Sequence, residues 1–305
     1  MSKRAFVVGI NNFTRAHWAL RGCVNDTIEM QGLLKTYFGF QSEDIRVIQD
    51  QDATKANIHA GLNWLLSDYD RDGSDVRVFH FSSHGTQVED QNRDEWERLD
   101  EVIVPHDHDW DAPFRDDDLW EHFKDVPENV NFTFVADCCH SGNLQKAAFD
   151  IEFRPRFLNP PIEVDDRIRD LQQERDNDLR AYQASQMAQL MQGVPAEQWA
   201  AKFEEFLKLT QEQFMKDQFA IVKFQRHVLL AACESRQTAA DARIEGEWQG
   251  AMTWALSKAI VESNGDLTYS QLIARAGTNL KDYDQKPQLE CPDDLNDHKI
   301  FAPLA

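Results

Sequence analysis

No apolar run in the 305 residues approaches the roughly 18 that a membrane-crossing helix needs, so the chain carries no such helix. Basic residues are few: 32 Lys plus Arg stand against 53 Asp plus Glu. The resulting net charge of −21 repels phosphate backbones and anionic lipid, which excludes nucleic acid and membrane surfaces as natural partners and favours cationic substrates and divalent metals. Cysteine is scarce: Cys23, Cys138, Cys139, Cys233 and Cys291 are an odd number without CxxC spacing. That excludes a disulfide framework and a zinc ribbon, and points to free thiols in a reducing compartment. The short apolar run after Lys3 and Arg4 ends at Asn11 and Asn12, too short for a secretory leader, so a cytoplasmic protein is expected. P-loop, GxGxxG and HExxH signatures are missing too, which removes nucleotide and zincin chemistry.

What is present is an alternation. With 42% hydrophobic residues the chain can bury a large core without staples. Nearly continuous apolar runs at 5–10, 44–48, 76–82, 101–105 and 131–137 read as strands of a sheet covered on both faces. Between them, Asn25–Phe38 carries Ile28, Met30, Leu33, Leu34 and Phe38 before Gly39, and Thr54 caps a segment with Ile58, Leu62, Leu65 and Leu66. The pattern predicts an α/β fold with a mostly parallel sheet. After residue 145 the character changes. A Pro-rich crossing, FRPRFLNPP at 153–161, leads into charge-rich helical sequence before HVLLAAC at 227–233 returns to a buried strand. Residues 165–192 are polar, a solvated or mobile helix. Trp199, Phe203, Phe206, Leu207 and Phe214 predict an amphipathic helix over 196–220 whose apolar face packs on the core. Two further helices are expected within 248–281.

Two strand ends finish in reactive residues. VFHFSSHG places His84 after one strand and before Gly85; FVADCCHSG places Asp137, Cys138, Cys139, His140, Ser141 and Gly142 after another. In parallel α/β sheets ligands bind at the carboxyl ends of the strands. If these strands are neighbours, an imidazole and a thiol meet there, the minimum for cysteine nucleophilic catalysis, with glycines that let backbone amides approach an oxyanion. Cys138 and His140 compete with Cys139 and His84 for these roles, since strand alternation sends the adjacent cysteines to opposite sides.

The Ser83–Gly85 and Asp137–Gly142 segments resemble the histidine and cysteine motifs of metacaspases, within the caspase-like cysteine peptidases. VVGINNF at 7–13, LRGCVNDTIEM at 20–30, DEVIVPHD at 100–107, RDDDLW at 115–120, ESRQTAAD at 234–241, GAMTWAL at 250–256 and QKPQL at 285–289 are similar in the same order, leaving out only about 145–225. The resemblance implies a caspase-like three-layer sandwich of prokaryotic type: residues 1–145 as the large-subunit-like part, 146–225 as a helical insertion or linker, and 226–305 as the small-subunit-like part. It implies a Cys139/His84 dyad, with Cys139 as nucleophile because it directly precedes HSG, His140 structural, and the amides of Gly85 and Cys139 as oxyanion donors. No third member is required.

Specificity is implied by the positions matching the family's acidic pocket, Cys23, Asp26, Ser82 and Asp137. Two carboxylates in a partly desolvated pocket favour a guanidinium or ammonium and reject an acidic side chain. The expected substrates are proteins or peptides with Arg or Lys before the scissile bond, and the expected enzyme is a monomer. Residues 89–118 hold 13 acids and 3 arginines, among which Asp100, Asp116 and Asp117 resemble the family's calcium site. Lys146 falls about where a fourth acidic ligand belongs and opposes the cation, so no cofactor is required and calcium is a candidate addition. His106 and His108 are expected as solvated histidines of an acidic loop. Self-processing after a basic residue of the linker, which offers Lys146, Arg154, Arg156, Arg167 and Arg169, is implied too. The alternative from another class is a non-proteolytic caspase-like scaffold that binds a partner through the helical insert.

Overall fold

Strands form where β-branched and aromatic residues cluster, and helices where apolar residues recur at helical spacing. The computed structural model describes residues 2–70, 74–92, 98–139, 152–190, 227–234, 237–283 and 285–304, with scattered positions between 195 and 206. In chain order these give β1 (Lys3–Gly9), α1 (Cys23–Phe38), β2 (Ile45–Gln49), α2 (Lys55–Leu65), β3 (Val76–Ser82), β4 (Gly85–Glu89), β5 (Leu99–Ile103), β6 (Phe114–Arg115), α3 (Asp116–Phe123) and β7 (Asn131–Asp137). They continue with β8 (Phe153–Pro155), α4 (Ile162–Leu190), β9 (Val228–Ala231), β10 (Ala240–Ile244), β11 (Glu247–Gly250), α5 (Ala251–Glu262), α6 (Tyr269–Asn279) and β12 (Gln288–Glu290). Thr54 caps α2 by accepting from the Asn57 amide, and α1 stops at Gly39, whose φ of 66° is the left-handed value glycine adopts cheaply.

The chain forms two compact units. The first holds residues 1–86, 102–159 and 224–305; the second holds 87–101 and 160–223. The first is built on a six-stranded sheet in the order β12-β9-β7-β3-β1-β2, parallel except for β12. Alternate residues of each strand feed two cores. Ala5, Val7, Val76, Val78 and Val135 pack with Leu33 and Leu34 of α1, Met252 and Leu256 of α5, and Leu272 of α6. Phe6, Val8, Phe79, Phe81 and Phe134 pack with Ile58 and Leu62 of α2, and Leu119 and Phe123 of α3. The result is the three-layer sandwich expected. Registers of Gly9 opposite Ser82 and Ser82 opposite Asp137 line up the carboxyl ends of β1, β3 and β7. The strand order reverses between β1 and β3, where α/β sheets open a crevice.

Three expectations change. The 101–105 run is not a strand of the main sheet: both edges of β3 are already taken by β1 and β7, and β5 instead pairs antiparallel with β6, Val102 opposite Arg115 and Ile103 opposite Phe114. The insertion is not a simple 146–225 block either. Residues 152–159 belong to the first unit, because β8 pairs with β10. The second unit draws in 87–101, where Arg98 pairs with Glu174 and Asp178, Arg167 pairs with Glu89, and Leu99 packs on Ile168 and Leu171. The polar stretch is one helix, α4, and the 196–220 segment lies largely outside the described residues. Finally, His108 is not solvated. It is buried, with the Trp18 and Trp110 rings 6.0 and 4.6 Å away, and burial holds it down to about 4, while His106 donates to the Asn12 carbonyl. Among the described residues no helix is long and apolar enough to cross a membrane.

Candidate active site

Two residues beyond the aligned ends of β3 and β7 come His84 and Cys139, so the parallel register puts them at adjacent strand ends. Alternation separates the neighbouring thiols. Cys138 packs into the core cluster of Phe81 and Phe134, Cys139 into the cluster on the other side. His140, Gly142 and Lys146 lie outside the described residues.

Across this edge runs the chain's own segment 153–158. It enters as β8, antiparallel to β10, with Phe153 opposite Ala242, Arg154 opposite Asp241 and Pro155 opposite Ala240. The Arg156 amide donates to the Ala239 carbonyl at 2.9 Å, and the Leu158 amide to the Gly85 carbonyl at 2.9 Å. The Arg156 carbonyl accepts from the Gly85 amide at 3.0 Å and the Cys139 amide at 3.2 Å. The two amides that the resemblance implies as oxyanion donors therefore converge on one carbonyl oxygen.

The side chain of the same residue fills a pocket lined by acids. Arg156 is 0% exposed, and its two terminal nitrogens have separate partners. Nη1 reaches the Ser82 Oγ at 2.8 Å, the Asp137 carbonyl at 3.1 Å and the Asp137 Oδ1 at 3.1 Å. Nη2 reaches the Asp26 Oδ2 at 2.7 Å and the Asp241 Oδ1 at 3.1 Å. Each carboxylate is anchored from behind: Asp26 by the Gly250 amide and Ser82 hydroxyl, Asp137 by the Thr253 amide and hydroxyl, Asp241 by the Arg21 and Gly22 amides. Burial raises the Asp26 carboxyl to about 6 against the opposing pull of Arg156, and pushes the Cys23 thiol well up beside it. Burial lowers the Arg156 pKa, but Asp137, Cys23, Asp26 and Asp241 together raise it well above the ordinary value. Gly250 forms part of the wall, since a Cβ there would lie 2.2 Å from the Asp137 Oδ2 and 2.4 Å from Arg156 Nη1.

The reactive pair is differently placed. The His84 Nε2 donates to the Trp18 carbonyl at 2.7 Å, and burial lowers its pKa to about 4, so the ring is neutral. The Cys139 Sγ lies 2.6 Å from the Cys233 Sγ, 3.4 Å from the Gln237 carbonyl, and accepts from the Ala239 amide. Burial first, then Cys233, raises its pKa well above that of a free thiol. Both groups are present, and each is engaged with something other than its partner.

All four pocket residues read from the sequence, Cys23, Asp26, Ser82 and Asp137, come together. Four others were missed. Asp241 and Gly250 stand at the end of ESRQTAAD and the start of GAMTWAL, so their segments were singled out while their positions in the pocket were not. Cys233 closes the strand run HVLLAAC, and nothing local separates Arg156 from Arg154, which donates instead to the Ala19 carbonyl. The calcium candidates divide between units, with Asp100 in the second and Asp116 and Asp117 at the start of α3 in the first. Among the described residues no group of three or more His, Cys, Asp and Glu is arranged to hold a metal ion.

A family profile described as the caspase domain matches residues 2–296. Metacaspase-1 of Debaryomyces hansenii is 28% identical over 304 residues, covering 96% of this chain and 66% of the relative. Metacaspase-1A of Aspergillus niger is 31% identical over 298 residues, covering 95% of this chain and 70% of the relative. The chain thus spans about two thirds of the length of these curated relatives. A crystal structure of a Geobacter sulfurreducens protein matches the whole fold, with a TM-score of 0.63 at 17% identity and full coverage of both chains.

Proposed function

The chain belongs to the caspase-domain family as a metacaspase-like member, and from that premise we propose that it is a cysteine endopeptidase cleaving after arginine or lysine, whose first substrate is its own Arg156–Phe157 bond. One observation carries this reading: the guanidinium of Arg156 sits among three carboxylates while its carbonyl accepts from the Gly85 and Cys139 amides. That is how a residue before a scissile bond is held, with main-chain pairing along β10 fixing the register as an added strand does.

The chemistry requires two side-chain movements, Cys139 away from Cys233 and His84 away from the Trp18 carbonyl. The Cys139 Sγ then attacks the Arg156 carbonyl carbon, its proton passing to the neutral His84 imidazole. Negative charge gathers on the oxygen already faced by the two amides. Collapse breaks the C–N bond, His84 returns the proton to the Phe157 amine, and a thioester joins Arg156 to Cys139. Water, deprotonated by His84, hydrolyses the thioester and frees the thiol. Departure of the cut segment opens the pocket and the β10 edge to a protein or peptide substrate in trans. No step of the proposed reaction uses a metal. The enzyme would act as a monomer in the reducing cytoplasm, which keeps thiols such as these free.

The test is cleavage of matched fluorogenic peptides ending in Arg, Lys or Asp, by wild type and Cys139→Ala, with calcium and with chelator, while intact mass follows the chain. Turnover after Arg or Lys, a fragment ending at Arg156, and loss of both in Cys139→Ala are expected. Folded proteins with no turnover in any lane would favour the non-proteolytic scaffold, and turnover after Asp would overturn the pocket assignment.

A further inference from the structure

We propose that Asp241 makes this pocket select arginine over lysine; the proposal rests on the basic-residue reading of the pocket above. Asp26, Asp137 and Ser82 alone would suit either side chain, because an ammonium has three donors and these residues offer three acceptors. Asp241 breaks that equivalence. It approaches Nη2 only, at 3.1 Å, while Nη1 is served by Ser82 and Asp137. The acceptors are therefore arranged around two donor centres, which the planar fork of arginine supplies and the single nitrogen of lysine does not.

Asp241 cannot move to compensate. It is 0% exposed on β10, its Oδ2 accepts from the Arg21 amide at 2.8 Å, and its Oδ1 from the Gly22 amide at 2.9 Å. Gly22 presses against it so closely that a Cβ would lie 2.5 Å from Oδ1. A lysine drawn to Asp26 and Asp137 would leave this carboxylate buried without a cation, and an uncompensated buried charge is strongly unfavourable. A lysine drawn to Asp241 would abandon Asp137. Either way one of three acids is left over, whereas the guanidinium reaches all three.

The experiment is a double-substitution cycle with Arg156→Lys and Asp241→Asn, read in two ways. In the active protein, the first-order rate of self-cleavage should fall roughly 30-fold for Arg156→Lys when Asp241 is intact, and less than about 3-fold when it is replaced. In the uncleavable Cys139→Ala protein, the same Arg156→Lys change should lower the melting temperature by roughly 5 °C with Asp241 and by about 1 °C without it. Equal effects in both backgrounds, by rate and by melting, would overturn the proposal and leave Asp241 as an anchor for the Arg21–Gly22 turn. If no protein of the set cleaves, the peptidase reading fails, yet the melting cycle still decides whether Asp241 discriminates. Asp241→Ser serves as the second replacement should Asp241→Asn not fold.

Discussion

The pocket end and the thiol end of the site are in opposite states. Around Arg156 the partners are already assembled: three anchored carboxylates divide two guanidinium nitrogens, and the carbonyl is gripped by two amides. At the other end, Cys139, the proposed nucleophile, is held by Cys233 and the Ala239 amide, and the His84 imidazole by the Trp18 carbonyl. In the proposed peptidase the difference means that recognition is preorganised while chemistry waits on two rotations. Binding a cation to buried acids needs a rigid cage, since loose carboxylates would repel each other or take up protons. Attack needs a thiolate, and a buried thiol touching a second thiol is kept from ionising.

Disturbing the assembled half should have the largest effect. Gly250→Ala places a methyl group where the Arg156 Nη1 and Asp137 Oδ2 now lie, so self-cleavage measured by intact mass should slow by about 100-fold or more through displacement of the carbonyl from its amides. A rate near wild type would mean the arginine is not held as described. Acidity should separate the two halves next. Protonating Asp26, with its pKa of about 6, removes a carboxylate from the pocket, whereas His84 stays neutral down to about 4. The self-cleavage rate should therefore fall as pH drops through about 6. A midpoint near 4 would assign the acid limb to His84 instead.

Stability carries its own sign. Burial lowers His80, His84 and His108 from 6.5 to about 4, so the stability each contributes is present above 6.5 and is lost as pH falls through about 4. Asp26 runs the other way: raised from 3.8 to about 6, its contribution is present below 3.8 and lost as pH rises through about 6. Glu290, raised by burial from 4.5 to about 7, runs with Asp26, so three groups against two predict a melting temperature that falls between pH 6.5 and 4 in the Cys139→Ala protein, and a flat or rising profile would contradict these burials. The smallest effect should come from the waiting half. Cys233→Ala removes the neighbour that detains the Cys139 thiol, so alkylation of Cys139 by iodoacetamide should quicken about 3-fold, followed by peptide mapping. No change would place the restraint in the Ala239 amide alone.

Much of this could be read along the chain because the signals are local. The strands 76–82 and 131–137 match the expected runs to the residue, since strands buried on both faces are nearly continuous apolar runs. Strand ends and glycines single out Cys139 and His84 only beside Cys138 and His140; the choice among them, and the two amides, come from the resemblance to metacaspases. The pairing of the 101–105 run with β6 is not legible locally, because nothing in it says which strand edges are already occupied. The burial of His108 is not legible locally, because its acidic neighbours suggest solvent while the ring of Trp18, distant in the chain, packs on it together with Trp110.

By itself the sequence determined the alternating α/β order, the family, the candidate nucleophile and imidazole, and two of the three pocket acids, all encoded in short-range pattern or in motifs of fixed order. Only the tertiary structure decided that β8 lies on β10, that Asp241 meets Asp26 from 215 positions away, and that Arg156 rather than Arg154 enters the cage. The physical reason is that a buried ion-pair network is set by the direction in which side chains leave strands distant in the chain, and that direction exists only once the sheets have paired and closed over it.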